Sequence, residues 1–326
     1  MKIIALMATY NEADIVQQSV SYMIAQGIPL IILDSSTDGS SEILSEFLGK
    51  GLLAIDKSPS GNFELEKILE RLWEDVSKEN PDWIVLCDAD EFLEPPCKGM
   101  SLKEAIEFEA REGYNMIQFN NFEFLLTRLD QHSRETDVRR RLRYYTWYDD
   151  MRFNAFKFYP GTKIGEGGGH FPTFPLDIEV KISPNKFILR HYRFRSYEQG
   201  LKKVFDERLP RYSQEEVSKG WHTHYKNFKR TQEYFVVDSK NLTRYDEDGR
   251  WNLTRKFDPY FGAFSVDTPQ SEAIVLRRKL AERTAAYDKA NQDLKTAQTE
   301  MDAIKSSFGY KLMKFYSRLI DGLLSR

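Results

Sequence analysis

The sequence predicts an α/β protein whose sheet begins as parallel strands covered by helices. Short apolar runs alternate with helical patterns through the first hundred residues, the arrangement that βαβ crossovers leave in a sequence. Polar and acidic residues gather where the first, second and fourth of those runs end, and in open α/β sheets that edge is where ligands bind.

Taken in order, residues 2–8 form an apolar strand and 11–26 carry a helical pattern. Residues 30–33 make a second short strand. It is closed by Asp34-Ser35-Ser36-Thr37-Asp38-Gly39-Ser40, turn and N-cap chemistry ahead of a helix at 41–48. A third strand at 52–55 leads through Ser58-Pro59-Ser60-Gly61-Asn62 into a long helix, 63–77. The fourth strand, 83–87, ends in three carboxylates, Asp88, Asp90 and Glu91. Beyond Pro95 a helix is expected at 102–111, a mixed strand at 115–124, a basic and aromatic stretch at 139–159, a glycine-rich loop at 165–170, a strand at 186–191 and a helix at 197–208. Residues 212–262 are aromatic-rich and carry no clear period.

The tail has a different pattern. From Ala273, apolar positions including Leu276, Leu280, Tyr287, Leu294, Met301 and Ile304 recur in steps of three and four, with Arg283 breaking the seam, which predicts a coiled coil or long packed helix. Residues 308–324 set Phe308, Leu312, Phe315 and Leu319 beside Lys311, Lys314 and Arg318, a basic amphipathic helix suited to a membrane interface or to the protein's own surface. The expected organisation is therefore a catalytic domain over 1–264, a coiled-coil helix over 265–305 and an amphipathic helix over 306–326.

Composition narrows the function classes. With 326 residues and 41% apolar content the chain can bury a large core, and 47 basic against 50 acidic residues give a net charge of -3, no global field for nucleic acid. Arg139, Arg140, Arg141 and Arg143 interleave with Tyr144, Tyr145 and Trp147, a surface for RNA stacking or for a phospholipid-linked acceptor, but no RNA-binding motif accompanies it. Two cysteines, Cys87 and Cys97, exclude a disulfide framework and fit a reducing cytoplasm. No run approaches the ~18 apolar residues of a membrane span. Gly165 to Gly169 lacks the strand and helix of a dinucleotide fingerprint, no P-loop occurs, and His222 with His224 lacks further zinc ligands nearby in sequence.

The chemistry concentrates in Asp88-Ala89-Asp90. Alternate strand residues share a face, so the two carboxylates point the same way and repel unless a cation sits beside them; hard oxygen ligands of this kind suit Mg²⁺ or Mn²⁺ carrying a phosphate. Three more segments join it: Thr9-Tyr10-Asn11-Glu12 after the first strand, Asp34 to Ser40 after the second, and Arg190-His191-Tyr192-Arg193-Phe194-Arg195-Ser196 after a late strand. Together they resemble the family 2 glycosyltransferases of the GT-A fold, particularly bacterial members that build surface polysaccharides. The resemblance covers about the first hundred residues well and the stretch to about residue 208 more loosely.

It implies a GT-A mixed sheet with flanking helices and inverting, metal-dependent transfer of a sugar from a nucleotide-diphosphate sugar to a saccharide or lipid-linked acceptor, with Mn²⁺ or Mg²⁺ as cofactor. By the same resemblance Thr9, Asn11, Glu12 and Asp34 hold the nucleoside, Asp88 lies nearer the ribose, and Asp88, Asp90 and His191 form the metal site. Arg195, Lys202 and Lys203, just beyond, are candidate cations for diphosphate oxygens, the two lysines being otherwise solvated on a helix surface, and Lys157 is either a contact to the diphosphate or acceptor or a solvent-facing strand lysine. Inversion needs a base near the acceptor hydroxyl. The family's Glu-Asp landmark has no clean counterpart, so Glu166 and His170 are the first candidates, then Asp149 and Asp150. The rival readings are a sugar nucleotidyltransferase, which wants a basic glycine-rich loop after the first strand, and a non-catalytic glycan-binding scaffold that self-associates through its tail. A cytoplasmic location, peripheral at the inner face of the membrane, completes the expectation.

Overall fold

The computed structural model describes residues 1–57, 64–131, 133–164, 171–212, 223–246, 250–254 and 257, with positions 295, 296, 299 and 301 of the tail. The chain divides into two units, Met1–Val266 and Asp267–Arg326. In the second, the four described positions are helical. The rest of the heptad pattern and the whole of 306–326 lie outside the described residues.

In the first unit the order begins β1 (Ile3–Thr9), α1 (Val16–Ala25), β2 (Leu30–Asp34), α2 (Ser40–Ser45), β3 (Leu52–Lys57), α3 (Leu65–Lys78), β4 (Trp83–Asp88), β5 (Glu91–Glu94) and α4 (Leu102–Arg111). It continues with β6 (Met116–Phe124), α5 (Val138–Arg141), β7 (Tyr144–Lys157), β8 (Phe187–His191), α6 (Tyr197–Leu201), a π-helical segment Lys202–Arg208 and β9 (Thr243–Arg244). Among the described residues these nine strands form one sheet in the order β3-β2-β1-β4-β7-β6-β8-β5, with β9 on β7. β3, β2, β1 and β4 run parallel, as the alternation of runs and helices predicts, and β7 joins β4 antiparallel. The result is a mixed α/β sheet with flanking helices.

Side-chain alternation along β1 sorts the first half into two layers. Ile3, Ala5 and Met7 pack with Val16, Val20 and Met23 of α1 and with Leu102 and Ile106 of α4, while Ile4 and Leu6 face Leu69, Leu72 and Val76 of α3. A third cluster, rich in aromatic rings, joins Phe92, Phe122, Phe124, Tyr145 and Tyr192 to Phe228 and Phe235, which gives the aromatic-rich stretch after residue 222 its place in the core. α4 begins where its sequence says it should. Ser101 accepts from the Glu104 N–H and Glu104 reaches back to the Ser101 N–H, a capping box.

Two differences from the sequence reading shape the site. α1 starts at Val16 and not at residue 11, because Asn11 takes a left-handed conformation (φ 55°), one that Asn tolerates better than most residues. The N–H groups of Asn11, Glu12 and Ala13 are spent on Ser36 Oγ, Ser40 Oγ and Asp38 Oδ2 at 2.9, 3.0 and 3.2 Å. The helix expected over 197–208 is α-helical only to Leu201, after which Lys202–Arg208 widens into π geometry, a feature found often at functional sites.

Candidate active site

The C-terminal ends of β1, β2 and β4 lie side by side, since Thr9 pairs with Asp34 and Ala8 with Asp88. Thr9 Oγ1 donates to Asp34 Oδ1 at 2.7 Å, and Asp34 also accepts from the Ser36 N–H (3.1 Å), Ser36 Oγ (2.6 Å) and Ser41 Oγ. Asp34 is buried and its carboxylate ties the loop before α2 to β1. Asn11 links the same loop to the π-helical segment: its Oδ1 accepts from the Thr37 N–H at 2.7 Å and its Nδ2 donates to Glu207 Oε1 at 2.8 Å.

Asp88 and Asp90 follow β4. The turn is held by Glu91, whose Oε2 accepts the Asp88 N–H at 3.1 Å and whose Oε1 takes the guanidinium of Arg152. Asp88 is accessible to water, yet the protein around it removes enough solvent, with Asp90 adding its charge, to raise its pKa. Asp90 is the opposite case. Burial would raise its pKa, but Lys203, His191 and Arg195 outweigh burial and hold it well below the usual carboxylate range. Glu91 is pushed up to about 7 by burial, against the pull of Arg152.

β5 carries the chain from Asp90 against β8, pairing Glu91 with His191, and β8 in turn pairs with β6, setting His191 beside Glu123. His191 Nδ1 lies 2.7 Å from Glu123 Oε1 and its Nε2 3.5 Å from Asp90 Oδ1. Burial alone would lower the His191 pKa; Glu123 and Asp90 override it and push it up to about 10. Glu123 Oε1 also accepts from Arg193 at 2.7 Å.

Lys203, the second residue of the π-helical segment, reaches in with its Nζ 2.7 Å from Asp90 Oδ2 and 2.8 Å from Glu12 Oε1. Arg195 approaches Glu12 Oε2 at 2.5 Å, grips Asp14 through two bonds of 2.7 Å and stands 3.8 Å from Asp90. Asp90, Lys203, Glu12 and Arg195 thus close a ring of alternating charge that joins the β4 end to the loop after β1.

Of the residues expected from the sequence, Thr9, Asn11, Glu12, Asp34, Asp88, Asp90, His191, Arg195 and Lys203 converge on this edge. The Arg195 side chain is 1% exposed, its guanidinium occupied within the protein, and Lys202 lies outside the ring, exposed and 3.0 Å from Glu207. Lys157 is not brought to the site. It pairs with Trp83 at the start of β4, because β7 runs antiparallel to that strand and carries Lys157 to the edge opposite Asp88. Glu166 and His170 lie outside the described residues, as do the side chains of Asp149 and Asp150 within β7.

Sequence reasoning missed Glu123, Arg152, Glu207 and Arg208. Arg208 is half-buried, and its charge bears on Asp88, Glu12 and Asp90. For Glu123 a signal existed: Asn121 and Glu123 share one face of a strand whose other face is Phe122 and Phe124.

Among the described residues, no group of three or more His, Cys, Asp or Glu side chains forms a metal cage, and no helix is long and apolar enough to cross a membrane.

The solved structures that resemble the chain include S. aureus TarS 1-349 in complex with UDP, at 13% identity and TM-score 0.26, covering 39% of this chain and 36% of that one. A second structure of TarS 1-349 (9% identity, TM-score 0.35) covers 59% and 61%, and one of TarS (11%, 0.34) covers 72% and 45%. The chain therefore spans between 36% and 61% of the length of these structures. No curated protein matches it. The model of the family described as glycosyl transferase family 2 matches residues 4–164, from β1 through β7 and with it Thr9, Asp34, Asp88, Asp90 and Glu123. The chain carries a glycosyl transferase family 2 domain.

Proposed function

We propose that the protein transfers a sugar from a nucleotide-diphosphate donor, with inversion, to a saccharide or lipid-linked saccharide. The observation that carries this reading is the Asp88-Ala89-Asp90 turn at the end of β4, set beside Thr9, Asp34 and the Asn11 loop in a family 2 domain. Exposed Asp88 lies on the donor side. Thr9, Asn11, Glu12 and Asp34 shape the nucleoside end, and Asp34 acts by organising the serine-rich loop that its carboxylate holds. Half-buried Arg208 supplies positive charge on the diphosphate side.

The residues fit a divalent metal. His191 Nε2 and Asp90 Oδ1 face each other, and Glu123 orients the ring from Nδ1, the outer partner that metal-bound histidines usually have. One or two carboxylates with substrate phosphates suffice for Mg²⁺ or Mn²⁺, so a protein cage is not needed. Asp90 and His191 would hold the ion, with Asp88 alongside, and when bound it would offset the diphosphate charge as the leaving group departs. The base is sought first at Glu166 and His170, then at Asp149 and Asp150. The reading also places the enzyme in the cytoplasm at the inner face of the membrane, with 265–305 as a self-association helix and 306–326 as the surface-docking segment.

Calorimetric titration with UDP, GDP, CDP and dTDP, each with and without Mn²⁺, tests the reading on wild type and Asp90→Ala. Metal-enhanced binding of one nucleotide, lost in the variant, is expected. Absence of all nucleotide binding would refute it in favour of a glycan-binding scaffold.

A further inference from the structure

We infer that Lys203 is a positioning residue that neutralises Asp90 from within the protein, so that the site takes up a divalent cation together with the donor diphosphate and not before it. The inference rests on the metal reading above and adds a regulation of loading.

Its basis is how the two oxygens of Asp90 are divided. Oδ2 is taken by Lys203 at 2.7 Å, and Oδ1 alone faces His191. Lys203 is itself held on its other side by Glu12, whose second oxygen belongs to Arg195. Within the ring the carboxylates of Glu12 and Asp90 meet the cations of Lys203 and Arg195, with Asp14 on the outer side of Arg195 and His191 at the other oxygen of Asp90. Behind it Glu123 is matched by Arg193. These side chains are nearly enclosed: Lys203 is 4% exposed and Asp90 7%. A lysine there cannot turn out into water without taking its closest cation from Asp90 and one of two from Glu12.

A dication approaching Asp90 therefore meets a carboxylate already paired with a buried ammonium. Affinity for hard cations follows the number of ligand charges, and here that number is cut by an ammonium a few ångströms away. A diphosphate restores the missing negative charge and supplies further oxygen ligands. The π-helical segment that carries Lys203 also carries Glu207, bonded to Asn11, so the cation and the donor loop are fixed by one element.

The test is Mn²⁺ binding to the full chain, read by electron paramagnetic resonance of free Mn²⁺, with and without inorganic pyrophosphate. The proteins are wild type, Lys203→Gln, Lys203→Met and Lys203→Arg. Lys203→Gln retains N–H donors for Glu12 and Asp90 and removes the charge, so it keeps the test open where Lys203→Met does not fold. Without pyrophosphate, Lys203→Gln is expected to bind Mn²⁺ about tenfold more tightly than wild type, with Lys203→Arg close to wild type. A merely structural lysine would leave Mn²⁺ affinity unchanged or weaken it. Equal or weaker binding in a Lys203→Gln protein with wild-type circular dichroism overturns the inference and leaves the proposed function standing. No Mn²⁺ binding to any variant, with or without pyrophosphate, overturns the inference and the metal reading together.

Discussion

Replacing Arg195 by Met tests whether the charge ring holds the site together. The guanidinium makes two 2.7 Å bonds to Asp14, approaches Glu12 at 2.5 Å and donates to the Tyr192 carbonyl at 3.1 Å. Removing one partner of a buried ion pair costs about 3–5 kcal/mol. Glu12 keeps Lys203, so the lower end applies. The Asp14 side chain is 46% exposed, and its share is screened to under about 1 kcal/mol. The expected loss is about 3 kcal/mol, which with a urea m-value of about 3 kcal/mol/M lowers the unfolding midpoint by about 1 M. Arg195→Lys keeps a charge and loses the fork, and about half that loss is expected. The effect should depend on pH with a definite sign. Burial would raise the Asp14 pKa, but its bonds and charge interaction with Arg195 bring it below the ordinary value. A depressed folded-state pKa gives stability that is present above the unfolded value of about 3.9 and is lost as pH falls through the folded value. The gap between wild type and Arg195→Met should narrow below about pH 4. An Arg195→Met midpoint within about 0.2 M of wild type at pH 7 would refute the reasoning, as would a gap that widens in acid.

Substitutions at three other positions bear on the site. Glu123→Leu strips His191 and Arg193 of their shared carboxylate and should cost about 3 kcal/mol in urea unfolding, with Glu123→Gln losing less because one acceptor remains. Asp88→Asn, at an exposed side chain, should change stability by no more than about 0.5 kcal/mol while weakening nucleotide binding about tenfold in the calorimetric panel. Gly39→Ala at φ 96° has room for a methyl group, so its cost is conformational, about 1–2 kcal/mol by thermal unfolding, and it should loosen the loop capped by Asp38.

Much of the parallel half was legible because each strand there is an apolar run bounded by turn residues: β2 and β4 run one residue past the expected end, and β1 is shifted by one residue at both ends. α4 was legible to the residue, with Ser101 and Glu104 capping it. β7 was not. Its fourteen residues mix Tyr, Trp, Arg and Asp because it pairs with β4, β6 and β9 in turn and meets different surroundings along its length. The π-helical segment reads as ordinary helix in sequence, since nothing local distinguishes an i to i+5 ladder from an i to i+4 one. Within the site, the strand-end acids were visible because carboxylates after apolar runs stand out. Glu123 was not legible because its partners, His191 and Arg193, lie some seventy residues on and come beside it only through the β6–β8 pairing.

The family match ends at residue 164, and the site does not. His191, Arg193, Arg195 and Lys203 supply much of the positive charge that matches Glu12, Asp90 and Glu123, and all four follow the matched segment. β8 is an interior strand of the sheet, paired with β6 on one side and β5 on the other. A fragment ending at 164 would expose both partners and leave buried carboxylates without counter-charges, a loss of several kcal/mol for each broken pair. The first half of the domain thus provides the acidic strand ends, and the stretch from β8 through the π-helical segment sets their charge state. Residues in that later stretch should govern how strongly the Asp90 edge binds a cation, although the carboxylates proposed to hold it, Asp88 and Asp90, are encoded well before it and only the imidazole of His191 comes from within it.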